Sequence, residues 1–130
     1  MNRTASKAQA IADSLPEYSF IVTPVSDFKG ALKECDLVIY TLPMKLDAID
    51  SLKVSDFEGE DRYSTGNPGK VILEANYKNP SFGEESLAKM EMAGCQYISG
   101  RRWLEYQAVT GYSIMTGKQP DIKSILSALD

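Results

Sequence analysis

Four stretches carry side chains able to bind or react. Near the start stands Asn2-Arg3-Thr4-Ala5-Ser6-Lys7, a guanidinium, two hydroxyls and an ammonium ahead of a helical pattern. Free N–H groups at a helix start, the helix dipole and an Arg fork all favour a phosphate. The same residues also describe an ordinary capped surface helix with solvated charges. The second stretch, Thr41-Leu42-Pro43-Met44, closes a run of apolar residues and offers either a wall for a flat ligand or a plain loop. The third is Val71–Pro80, Val-Ile-Leu-Glu-Ala-Asn-Tyr-Lys-Asn-Pro, where Glu74 and Tyr77 follow three large apolar residues. The fourth runs from Gly100 to Gln107. There a glycine permits close backbone approach, and an amide offers both a donor and an acceptor.

Several chemistries lack their residues. The chain has no histidine to act as a general base or metal ligand. Its two cysteines, Cys35 and Cys95, form no C-x-x-C pair, so a metal site is not expected and buried free thiols are. No G-x-G-x-x-G cradle and no G-x-S-x-G nucleophile elbow occurs. Net charge is −4 and the pI is near 4.9, which argues against a general nucleic-acid or acidic-membrane surface while leaving room for a local basic pocket. The chain has no apolar run of the ~20 residues a membrane span needs and no secretory leader pattern, so a cytoplasmic protein is expected.

The elements that position these stretches follow from hydrophobic periodicity. The 130 residues, 43 % hydrophobic and 25 % charged, suit one globular domain. Val71–Ala75 opens as an unalternated apolar run, which fits a strand buried on both faces in a parallel sheet. Asp36–Leu42, with Leu-Val-Ile-Tyr, reads the same way, and Ser19–Val22 and Cys95–Ile98 read as two shorter strands. Helices are expected from Thr4 or Ser6 to Pro16, with Ala8, Ile11, Ala12 and Leu15 on one face. A second is capped by Ser26, with Phe28 and Leu32 inward. Leu46, Ile49 and Leu52 suit a short amphipathic turn, and Asn67-Pro68-Gly69 is a turn signal. Glu84–Ala93 makes a helix with Leu87 and Met90 inward, stopped by Gly94. A long helix from about Arg102 to Thr116 carries the stripe Leu104, Ala108, Gly111 and Met115, with Gly111 allowing close packing. Pro120 opens a last helix that buries Ile122, Ile125, Leu126 and Leu129. Strands alternating with helices imply a parallel sheet of about four strands with right-handed crossovers, an α/β fold. Its carboxyl end is where ligands bind.

These stretches together resemble the C-terminal, nucleotide-binding half of shikimate dehydrogenase, over almost the whole chain. Asn2-Arg3-Thr4 with Lys7 and Ala8 resembles the family's Asn-Arg-Thr-x-x-basic segment. Leu73-Glu74-Ala75-Asn76-Tyr77-Lys78-Asn79-Pro80 resembles the Leu-Glu-Met-Ala-Tyr-Lys-Pro run in the shikimate dehydrogenase region of fungal pentafunctional enzymes. Gly94, Ile98-Ser99-Gly100, Trp103-Leu104-Glu105-Tyr106-Gln107 and Thr116-Gly117 resemble its closing pattern. The resemblance implies an incomplete Rossmann-like domain and NADP as cofactor. Asn2, Arg3, Thr4 and Lys7 would grip the adenosine 2′-phosphate. Thr41, Leu42, Ala75, Gly100 and Trp103 would line the nicotinamide side, and Tyr77 and Gln107 would touch a shikimate-like substrate.

The chain departs from the family at Tyr40-Thr41-Leu42-Pro43, where Asn-Ala-Thr-Pro is usual, and at Trp103, which stands for a common Met. It departs again at Arg101-Arg102 and Ser81-Phe82-Gly83. The resemblance also implies that the catalytic Lys and Asp, the Gly-rich turn and the central two strands have no counterpart here, so the chain alone should not turn over. An open strand edge would remain. Ser19–Val22 would then shift onto Asp36–Leu42, a second copy would close the gap, or residues outside this sequence would do so. A Rossmann remnant that binds a partner or a nucleotide without reacting is the competing class.

Overall fold

The computed structural model describes residues 1–59 and 69–128. Three strands form one parallel sheet in the order β1-β2-β3: β1 Leu37–Tyr40, β2 Val71–Glu74 and β3 Gln96–Ile98. The register places Val38 beside Ile72 and Tyr97, and Tyr40 beside Glu74, on one face. That face holds the core. Helix α2 (Phe28–Glu34), the short α3 (Val54–Phe57) and α4 (Glu84–Met92) cover it. Phe28, Leu32, Ile49, Leu52, Phe57, Ile72, Phe82 and Met90 are buried there. Rings of Phe28, Tyr40, Phe82 and Tyr97 meet edge to face at 5.9, 5.4 and 6.2 Å between successive centroids.

The opposite face carries Leu37 and Ile39 of β1, Val71 and Leu73 of β2, and Gln96 and Ile98 of β3. Helix α5 (Gly100–Thr116) packs on β2 from this side, and α6 (Ile122–Ser127) packs on α5. Helices on both faces of a parallel sheet make the chain an α/β protein, as its alternating pattern requires. Helix α1 (Ala5–Ser14) buries none of its residues.

Helix ends follow sequence signals. Gly94 and Gly117 take positive φ, 68° and 66°, just past α4 and at the end of α5, a conformation that costs a residue with a Cβ dearly. Ser99 caps α5 through the Arg102 N–H, and Asp121 caps α6 by accepting from the Lys123 and Ser124 N–H groups. Leu46 and Ile49 belong to a 3-10 turn, Asp47–Ser51 and its cap, rather than an α-helix.

Several expectations need correction. Ser19–Val22 is not a strand and does not pair with β1; only Pro24 bridges to Asn2. Strand propensity describes fit to a neighbouring pleated surface, and this segment has no such neighbour. Among the described residues the parallel sheet therefore has three strands, and this segment is not one of them. Ser26 lies inside a 3-10 turn, Val25–Asp27, and does not cap α2. A Cβ added at Gly111 would meet nothing within 4 Å, so Gly111 permits no close packing. Met115, the last residue of the expected stripe, is 87 % exposed, because α5 outruns the sheet it packs on. Pro120 precedes the Asp121 cap of α6 instead of opening the helix, and Ile122 is half exposed. Asn67, Pro68 and Leu129 lie outside the described residues.

Candidate functional site

The three strands are parallel, so the segments after β1 and β2 and the start of α5 emerge at one end of the sheet. Thr41 and Leu42 follow β1, Ala75 and Tyr77 follow β2, and Gly100 follows β3. The N-terminal segment joins them there, since the Arg3 guanidinium reaches the Met44 sulfur at 3.9 Å. Asn2 Oδ1 accepts from the Thr4 N–H at 3.0 Å, which turns the chain into α1. Arg3, Thr4 and Lys7 are exposed, and the Thr4 side chain makes no cap bond.

Glu74 organises the loop after β2. It is fully buried. Its Oε1 accepts from the Ser81 N–H at 2.5 Å, and its Oε2 accepts from the Tyr97 hydroxyl at 2.7 Å. Both carboxylate oxygens are therefore used in holding the loop. Burial raises the Tyr97 phenol well above its ordinary range, with the Glu74 bond and charge adding to it. Within the loop the Asn76 side chain donates to Asn79 O at 2.6 Å and closes a tight turn. Tyr77 stands at the tip, 47 % exposed, with the Lys78 ammonium 5.8 Å from its ring centre. The acid that ends the apolar run in the sequence is thus a brace, and the exposed phenol three residues on is the group available to a ligand.

Gly100 is buried beneath this loop. A Cβ there would lie 2.5 Å from the Asn76 carbonyl carbon and 2.7 Å from Tyr77 N. The close approach that this glycine permits is to the protein's own loop, so it supports Tyr77 instead of lining an open cradle. Gly100, Trp103 and Gln107 recur at helical spacing on one stripe of α5. Trp103 lines a cleft of about 410 Å³ between α5 and the sheet, with Leu73, Ile98, Arg102 and Tyr106. Gln107 is exposed two turns along. Among the described residues no hydrogen bond joins Gln107 to Tyr77.

Two buried ionic devices went unread in the sequence. Asp56, 1 % exposed, accepts from the Lys53 N–H at 2.8 Å and faces Lys29 at 3.1 Å and Lys33 at 3.4 Å. Burial pushes its carboxyl up, but the Lys53 N–H and the two ammonium groups outweigh that and hold it below its ordinary value. Lys70 is buried and donates to Lys33 O at 3.0 Å and Cys35 O at 2.8 Å, capping the carbonyl end of α2. The i, i+4 pair Lys29 and Lys33 on the α2 face was the only available signal, and its partner is distant in sequence. Burial raises the Cys95 thiol to about 11, against a smaller opposing effect of Lys70, so it is inert at neutral pH. Cys35 is half-buried.

The residues present fit one end of a dinucleotide phosphate. Arg3, Lys7 and the Ala5 and Ser6 N–H groups that open α1 suit a phosphate monoester, while the Lys7 and Ala8 N–H groups are taken by Thr4 O. A diphosphate cradle is not formed by the described residues, and the one buried glycine at this end of the sheet is filled by backbone. Among the described residues no group of three His, Cys, Asp or Glu side chains could hold a metal, and no helix is long and apolar enough to cross a membrane. No protein-family model matches the chain, and no curated protein matches it significantly.

Proposed function

We propose that this chain is part of the nucleotide-binding lobe of an NADP-dependent dehydrogenase of the shikimate or quinate type. The whole enzyme would move a hydride between NADPH and the ketone of a dehydroshikimate-type ring. One observation carries the reading. The contact of Arg3 with Met44 sets the basic N-terminal segment beside the loop after β1, at the same end of the sheet as Tyr77. In this reading Arg3, with Asn2, Thr4 and Lys7, binds the 2′-phosphate and selects NADP over NAD. Thr41, Leu42, Ala75 and Trp103 flank the nicotinamide, and Tyr77 and Gln107 meet the substrate. Gly100 acts indirectly, by letting the Tyr77 loop sit down on α5. The nicotinamide supplies the hydride, and the proton belongs to a Lys–Asp pair on a lobe outside this sequence.

The filled glycine, with no diphosphate cradle among the described residues, favours a second reading, a non-catalytic module that keeps a phosphate grip only. One titration separates the two. Trp103 is the only tryptophan, so its fluorescence reports on the nicotinamide side alone. The dehydrogenase reading expects NADPH to quench it at least tenfold more tightly than NADH, about the value of one charge-assisted hydrogen bond. Arg3→Ala should erase that preference. Equal affinity for the two cofactors refutes the 2′-phosphate assignment. Binding without any change at Trp103 supports the module. Turnover of NADPH and 3-dehydroshikimate by this chain alone refutes the need for a second lobe.

A further inference from the structure

Among the described residues, two stretches able to pair as strands lack a strand partner. One is the outer edge of β1. Asp36 and Tyr40 accept from the Val71 and Ala75 N–H groups, so the main chain of every second residue faces β2. The N–H and C=O groups of Leu37, Ile39 and Thr41 therefore point away from the sheet. Leu37 and Ile39 are 56 % and 55 % exposed. The other piece is residues 19–23, Ser-Phe-Ile-Val-Thr, a run of strong strand formers. Residues 19–22 make no main-chain hydrogen bond among the described residues, and the bridge between Asn2 and Pro24 engages only the Thr23 end of the run. Its Ile21, 92 % exposed, is the most exposed large hydrophobic side chain among them.

We infer that these two pieces meet between copies. Residues 19–23 of each molecule add as a strand to the β1 edge of the other, giving a closed twofold dimer by reciprocal exchange. They do not meet within one molecule. Pro24 is bridged to Asn2, and a groove of about 210 Å³ at β1 is lined by Leu37–Leu42 together with Met1 and Val25. The bridge fixes the chain next to residues 19–23, and the groove leaves part of the β1 edge open to an incoming strand.

The area suffices for a specific pair. Tyr18, Phe20, Ile21, Leu37 and Ile39 are 64, 46, 92, 56 and 55 % exposed. At roughly 200 Å² for a fully exposed large side chain, they present about 600 Å² per copy. Two copies together reach about 1,200 Å², the lower bound for stable interfaces, before any main chain is counted. The exchange needs no nucleotide, and it competes with the dehydrogenase reading for the β1 edge, which the central strands of a whole lobe would cover.

Light scattering on the full chain from 1 to 200 µM tests the inference. A dimer of twice 14.3 kDa is expected at the upper concentrations. Ile21→Lys should weaken it at least tenfold with an unchanged circular dichroism spectrum, since Ile21 is almost fully exposed within one copy. In a Cys35→Ser background, Ile21→Cys copies mixed with Ile39→Cys copies should form a mixed disulfide that neither forms alone. Amide exchange at Ile39 should slow as concentration rises. A monomer throughout overturns the inference, as does a dimer indifferent to Ile21→Lys. Disulfides among Ile21→Cys copies alone also overturn it, because they place the two free segments against each other instead of against β1.

Discussion

Removing the Glu74 side chain should cost this fold more than any loss of exposed charge. Glu74→Ala strands two buried donors, the Ser81 N–H and the Tyr97 hydroxyl, that now lie 2.5 and 2.7 Å from carboxylate oxygens. Each orphaned donor costs about 1–3 kcal/mol. The cavity left by one methylene and a carboxyl adds about 1–2 kcal/mol. The sum, about 3–8 kcal/mol, is a large share of the ~5–15 kcal/mol that holds a domain together. Glu74→Gln separates charge from shape. Its carbonyl can still accept from Ser81 and its amide can donate to the Tyr97 oxygen, so the expected loss is about 1–2 kcal/mol. Tyr97→Phe removes one of the two bonds and should cost about 1.5–3 kcal/mol. Combined with Glu74→Ala it should add little, because the partner is already gone. Urea unfolding followed by Trp103 fluorescence and far-ultraviolet dichroism measures all four variants. An alanine variant within 1 kcal/mol of the parent, or strict additivity with Tyr97→Phe, would refute the account of Glu74 as the loop's anchor.

Two further outcomes follow from the buried ion cluster and from the glycines. Asp56 titrates below its ordinary value when folded, so the unfolded chain binds its proton first as pH falls. The stability that Asp56 contributes is complete above the ordinary carboxylate value and is lost as pH drops through the folded one; urea midpoints from pH 7 to pH 2 should decline less steeply in Asp56→Asn, from a lower start, and equal slopes would contradict the pairing with Lys29 and Lys33. Gly100→Ala forces a methyl to within 2.5 Å of Asn76 backbone and should cost about 1–3 kcal/mol or more, whereas Gly111→Ala enters open space inside α5 and should stabilise by up to about 1 kcal/mol. A thermal midpoint that does not fall in Gly100→Ala, or that falls in Gly111→Ala, would show that the contact at that glycine was misread.

The sequence by itself determined the α/β class, the three core strands and most helix limits. Those depend on local rules: apolar runs at Leu37–Tyr40 and Val71–Glu74, helical spacing at Phe28 and Leu32, and left-handed glycines at Gly94 and Gly117. Tertiary structure alone decided which polar groups are braces and which are available. Glu74 and Tyr77 stand three residues apart and look equally chemical as letters. One is fully buried on Ser81 and Tyr97, and the other stands half exposed at a loop tip. Asp56 gains its meaning from lysines more than twenty positions away. Gly100 gains its own from a loop that precedes it by more than twenty residues. Ser19–Val22 shows the same limit from the other side, for a strand exists only where another edge accepts it, and no residue encodes its neighbour's position. Local preference fixes what a segment can become, and desolvation together with hydrogen bonds to sequence-distant groups decides what it does.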